Sequence, residues 1–121
     1  MNERNVKAVY KWTVEASLIW DWYLGLSVQD KSRVTEAVAW LSEHGPAAGR
    51  PFVDTIQHST LKNLEELRPR GGEIRILFAF DPLRRAILLV GGDKTGRENE
   101  WYKRNVPEAE ARYHRWLRDG R

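Results

Sequence analysis

Arg75 is the anomaly of this 121-residue sequence, a guanidinium inside the otherwise apolar run Ile74-Arg75-Ile76-Leu77-Phe78-Ala79-Phe80-Asp81-Pro82. An unpaired buried guanidinium is very costly, so Arg75 must pair with a carboxylate or face a surface that binds an anion. Strand alternation groups Arg75 with Leu77 and Ala79 and leaves Ile74, Ile76, Phe78 and Phe80 for the core, which predicts that Arg75 looks out of the core. In the preceding segment the same parity collects Lys62, Leu64, Glu66 and Arg68, so Glu66 and Arg68 are expected beside Arg75. Lys94, just past Gly91-Gly92-Asp93, is expected at the end of the same surface. Three cations around one carboxylate suit phosphodiester cleavage. The cations neutralise the pentavalent transition state, a base takes the 2′-hydroxyl proton and an acid protonates the departing 5′-oxygen. No metal enters this scheme.

Each of these residues also has a plainer reading. An Arg beside a Glu on the next strand is commonly a cross-strand ion pair, and Lys94 is equally an ordinary solubilising residue. The segment Trp101-Tyr102-Lys103-Arg104 is basic and aromatic. Its Tyr102, Lys103 and Arg104, with Lys62 and Arg70, are candidate RNA contacts, although Trp101 and Tyr102 serve as well as packing anchors. His58 and His114 could donate protons and otherwise read as exposed bystanders. Trp12, Trp20, Trp22, Trp40 and Trp116 fall on or near apolar stripes and are assigned to the core or an interface.

Charge distribution supports a polyanion partner for the second half. The net charge is only +3, but residues 1–61 carry 6 Lys/Arg against 7 Asp/Glu and residues 62–121 carry 14 against 10. Cysteine is absent and the three histidines lie far apart, so neither a disulfide framework nor a local ligand cluster is expected, and no metal or cofactor. No apolar run of signal-peptide length opens the chain and nowhere do about 18 apolar residues follow one another, which predicts a cytoplasmic protein without a membrane segment.

The elements that must position these groups are read from periodicity. Residues 6–14 alternate as a strand, and residues 15–25 change to helical spacing through Leu18, Ile19, Trp22 and Tyr23. Ser27 offers an N-cap for a second helix striped by Val34, Ala37, Val38, Leu41 and Trp40 and ended by Gly45-Pro46. Residues 45–59 read as a loop. Strands follow over 61–68, 73–80 and 86–90, joined by Pro69-Arg70-Gly71-Gly72 and by a turn at Asp81-Pro82, the last strand stopping at Gly91-Gly92. A terminal helix begins at Pro107, with Glu108 and Glu110 near its start, Arg115 and Arg118 near its end, and Gly120 beyond. This predicts one α+β domain over 1–121: an N-terminal strand, a helical hairpin, a three-stranded antiparallel meander and a C-terminal helix. The helices are expected on one side of the sheet, the other face being left for function.

The blocks Leu64-Glu65-Glu66-Leu67-Arg68-Pro69, Glu73 through the Arg75 strand to Asp81-Pro82, and Ala86-Ile87-Leu88-Leu89-Val90-Gly91-Gly92-Asp93-Lys94 resemble the phage-derived HigB-like branch of the RelE/ParE toxin superfamily. Glu43-His44-Gly45-Pro46, Gly49-Arg50-Pro51 and Val53-Asp54-Thr55-Ile56 resemble the loop of actinobacterial members, and the likeness covers about residues 36–117. The resemblance implies a two-layer RelE-like fold and a toxin that enters the ribosomal A site and cuts messenger RNA by 2′-hydroxyl attack without metal. It gives Arg75 the phosphate-stabilising role, Lys94 a place near the leaving group, and Arg68 the arginine of the Glu-Leu-Arg motif. Many relatives carry lysine at Glu65 and RelE carries it at Glu66, so Glu66 stands in here as the base. It also implies a helix-turn-helix antitoxin, through which alone operator DNA is met. Within the superfamily a ParE-like gyrase poison is the rival, and a non-catalytic, phage-derived RNA-binding protein is the third reading.

Overall fold

The strand expected over residues 6–14 falls mostly outside residues 12–121, the part that the computed structural model describes. Its end stands as β1 (Val14–Glu15). A 3-10 turn (Ser17–Ile19) and a short helix α1 (Trp20–Leu24) follow. Helix α2 (Val28–His44) starts where the sequence places it, because the Ser27 hydroxyl accepts the Asp30 N–H at 3.1 Å. Val34, Ala37 and Leu41 are its buried stripe. Gly45 ends it with φ 57°, a position where a Cβ would also lie 2.3 Å from the Trp12 ring.

Five strands form one sheet in the order β1-β5-β4-β3-β2. Strands β3 (Glu65–Leu67), β4 (Ile74–Phe80) and β5 (Ala86–Asp93) make the expected antiparallel meander. β1 adds to β5 in parallel. The region read as a loop contributes β2 (Val53–Thr55), an antiparallel edge strand on β3. Three residues are too few to show a period, and the pairing that holds them is made by β3.

β5 does not stop at the two glycines but runs through them. A bulge shifts the register from Leu77↔Val90 to Phe78↔Leu88, so Leu89 is the extra residue. The Leu89 carbonyl accepts from Arg112 Nη1 at 2.8 Å. Beyond the bulge, Gly91 lies under Trp22 and Gly92 under Trp101, each ring within 2.4 Å of where a Cβ would sit. Close approach of the two indoles, rather than a turn, is what these glycines permit.

The terminal helix, α3 (Glu98–Asp119), starts nine residues earlier than Pro107 suggests. Proline in a helix interior costs about 3 kcal/mol. Here it is outweighed by the stripe Trp101, Val106, Ala109, Tyr113 and Trp116, which is buried on both sides of it. Glu98 and Glu100 sit in the first turn, and Gly120 closes the helix at φ 75° with its N–H on the Trp116 carbonyl.

The α+β class and element order stand, but the helices do not share one side. Val34, Ala37 and Leu41 of α2 pack with Ile76, Phe78 and Leu88 on one face of the sheet. The stripe of α3 packs with Leu77, Ala79, Ile87 and Leu89 on the other. The face expected to be open is covered by α3, because that helix is long enough to cross it. No helix among the described residues is long and apolar enough to cross a membrane.

Candidate active site

Strand alternation does bring Glu66, Arg68 and Arg75 together, but under cover rather than in the open. Glu66 is 6 % exposed, and its carboxylate holds three groups. Arg75 Nε lies 3.9 Å from Oε1, Arg68 Nη1 lies 3.5 Å from Oε2, and the Tyr102 hydroxyl donates to Oε1 at 2.6 Å. Two cations and a phenol offset the cost of burying this carboxylate. Arg68 also reaches Asp54 at 3.4 Å, and Arg50 braces that carboxylate at 2.7 Å.

Arg75 is itself 6 % exposed, which corrects the expectation that it looks outward. The reason is α3, whose Trp101 ring lies against Gly92, the cross-strand partner of Arg75. Its Nη1 donates to the Ile74 carbonyl at 2.8 Å and to that of Gly72 at 3.4 Å. Its Nε has no hydrogen-bond partner among the described residues. A buried guanidinium nitrogen left without a partner beside a carboxylate is a feature that calls for an explanation.

Lys94 does come to this end of the sheet, but not as a free cation. It is 7 % exposed, and its ammonium donates at 2.6 Å to Glu73 and at 2.6 Å to Glu98. Burial opposes the charge, but the bonds to Glu73 and Glu98 outweigh it and hold the pKa above the ordinary lysine value. The same contacts hold Glu73 low. The Lys94–Glu98 pair ties the start of α3 to the end of β5.

The candidate RNA contacts are dispersed. Tyr102 is half-buried in the cluster, its phenol pushed well up by burial and by the bond to Glu66. Lys103 and Arg104 are exposed on α3 and, with Arg97, line a cleft of about 470 Å³ beside Asp93 and Trp101. Lys62 is exposed ahead of β3. Arg70 is drawn to the α2 side, paired with Glu36 and lying 5.4 Å over the Phe52 ring, so it does not join the cluster. Glu65 alternates to the α2 face opposite Phe78, where burial lifts its carboxyl to about 6.

Sequence reasoning missed Asp54, which enters through β2 to pair with Arg68, and a cleft of about 640 Å³ between residues 55–60 and α3, whose lining includes Glu66 and Tyr102. The short pairs Phe52-Val53 and Thr55-Ile56, aromatic and β-branched, are the available signal for β2. Among the described residues no group of three or more His, Cys, Asp or Glu is placed to hold a metal ion.

The mixed sheet thus carries Arg68, Glu66 and Arg75 as one cluster, with Glu66 and Arg75 buried and Arg68 partly exposed. Residues 21–114 match the family described as Phage derived protein Gp49-like (DUF891). The chain is 50 % identical over 96 residues to "Putative toxin HigB3" of Mycobacterium tuberculosis, covering 79 % of this chain and 84 % of that one. It is 44 % identical over 102 residues to "Putative toxin HigB2" of the same organism, covering 82 % of this chain and 51 % of the relative, so it spans about half of the latter's length. The chain belongs to the Gp49-like, HigB-like toxin family.

Proposed function

We propose that this chain is the toxin of a toxin–antitoxin pair and acts as a metal-independent endoribonuclease that cuts messenger RNA in the ribosomal A site. The relatives' printed names support the first half of that reading. The observation that carries the second is the grip of Arg68, Arg75 and Tyr102 on the one carboxylate of Glu66.

In this reading the scissile phosphate engages Arg68 and the unspent Nε of Arg75, which stabilise the charge that develops on the phosphoryl oxygens. The 2′-hydroxyl takes the place of the Tyr102 hydroxyl on Glu66, and the carboxylate accepts its proton as the oxygen attacks phosphorus. The products are a 2′,3′-cyclic phosphate and a 5′-hydroxyl. Lys94 positions the start of α3 over this cluster through Glu98. Lys62, Lys103 and Arg104 meet RNA phosphates on the exposed flank. The chain works in the cytoplasm, where a helix-turn-helix antitoxin covers it and carries the contact with operator DNA.

Induction of the chain without its antitoxin, followed by primer extension on cellular messages, tests the reading. New 5′ ends inside reading frames, absent with Arg75→Lys, are expected. Intact messages with a DNA-damage response would favour a gyrase poison, and normal growth would leave only a non-catalytic RNA-binding protein.

A further inference from the structure

We propose that His58 is the proton donor to the departing 5′-oxygen, a role that rests on the ribonuclease reading above. His58 lines the cleft of about 640 Å³ in which Glu66 is reached, on the wall formed by residues 55–60 and facing the N-terminal half of α3. Base and acid in a 2′-hydroxyl transphosphorylation must flank one phosphate. Glu66 and His58 both line this cleft.

The loop that carries His58 is anchored on both sides. Before it, the Ile56 N–H donates to the Leu64 carbonyl at 3.0 Å. After it, Glu110 of α3 accepts the Ser59 hydroxyl at 2.7 Å and the Thr60 N–H at 2.8 Å. Those two bonds hold the Glu110 carboxyl below its ordinary range against the effect of burial. The bonds thus fall on either side of His58, and Val106 and Pro107 line the same cleft.

Elimination among the other groups points the same way. Lys94 is engaged by Glu73 and Glu98. Its raised pKa makes it a poor donor near neutrality. Tyr102 stands beside Glu66, on the base's side of the phosphate, and its phenol is pushed up. The remaining titratable groups of the cleft are Glu66, Glu100, Lys103 and Glu110. Imidazole is the side chain best suited to give a proton near neutral pH.

The step balances without a further reactant. The 2′-oxygen bonds to phosphorus as its proton passes to Glu66, and the P–O5′ bond breaks as the imidazolium proton of His58 passes to the 5′-oxygen. The enzyme is left with protonated Glu66 and neutral His58, which exchange with water.

Single-turnover cleavage on programmed ribosomes tests this, with messages carrying either the natural linkage or a 5′-bridging sulfur at the cut site. A thiolate departs without protonation. His58→Ala is expected to slow the natural linkage by about 10²-fold or more and to cut the sulfur linkage within about tenfold of the wild-type rate, while Arg75→Lys stays slow on both. His58 is exposed, so the variant folds. Equal slowing on both linkages, or no slowing on oxygen, overturns the assignment. Failure of the wild-type chain to cut either linkage defeats the ribonuclease reading and the proposal with it.

Discussion

The Tyr102 hydroxyl donates to Glu66 Oε1 at 2.6 Å, so the carboxylate assigned the base role is occupied by a residue of the terminal helix. The phenol has its pKa pushed up by burial first and then by that bond, and it remains a donor at all ordinary pH values. Tyr102→Phe removes one hydrogen bond to a charged group. We expect a loss of about 1–2 kcal/mol in urea unfolding, with message cleavage retained because the carboxylate is freed rather than removed. Loss of cleavage in a stably folded Tyr102→Phe protein would mean that the hydroxyl takes part in the chemistry.

Glu66→Gln is the counterpart. It keeps the shape but withdraws the negative charge that Arg68 and buried Arg75 share. Leaving a buried guanidinium with no carboxylate costs about 3 kcal/mol, and loss of a general base lowers the cleavage rate by about 10²-fold or more. Chemical unfolding and single-turnover cleavage read the two effects separately. For the same reason Arg75→Ala is a destabilising variant here, and Arg75→Lys is the better probe of phosphate binding.

Gly91→Ala separates packing from chemistry. The new methyl would meet the Trp22 ring at 2.4 Å, on the face opposite the Glu66 cluster. A drop of about 1–3 kcal/mol is expected, and thermal melting measures it. An unchanged melting temperature would mean that Trp22 moves aside freely.

Glu65 gives a pH dependence of its own. Burial raises its carboxyl to about 6 in the folded chain, so the folded state binds the proton more tightly than the unfolded state does. Its contribution is therefore fully present below the ordinary carboxylate range and is lost as pH rises to about 6. Glu65→Gln should flatten the stability profile over that window and stabilise the protein above it. Urea titrations of both proteins at pH 4.5, 6 and 7.5 would show it, and parallel profiles would contradict it.

Much of the site was legible because β-strands alternate. Parity alone placed Glu66 and Arg68 beside Arg75, and the meander sets Glu66 opposite Leu77, two residues along the strand from Arg75 and within reach of it. What parity could not convey was the cover. Pro107 reads as a helix start, so the nine residues before it in α3, including Trp101 and Tyr102, carry no helical signal of their own, and the face they bury reads as open. Once α3 is known to begin at Glu98, Lys94 and Glu98 stand four residues apart, and the capture of the lysine follows. The bulge at Leu89 leaves no mark in composition, and it decides which of Gly91 and Gly92 meets which indole. Asp54 was out of reach for a different reason: its strand exists only by pairing with β3.

The central claim is that Glu66, held by Arg68 and Arg75, drives attack by a 2′-hydroxyl. The most direct measurement is cleavage of a ribosome-bound message by the purified chain, comparing an all-ribose A-site codon with one carrying a single 2′-deoxy residue at the cut position. The account predicts a 2′,3′-cyclic phosphate and a 5′-hydroxyl from the first and no cut at that position in the second. Continued cleavage at the deoxy residue would contradict it.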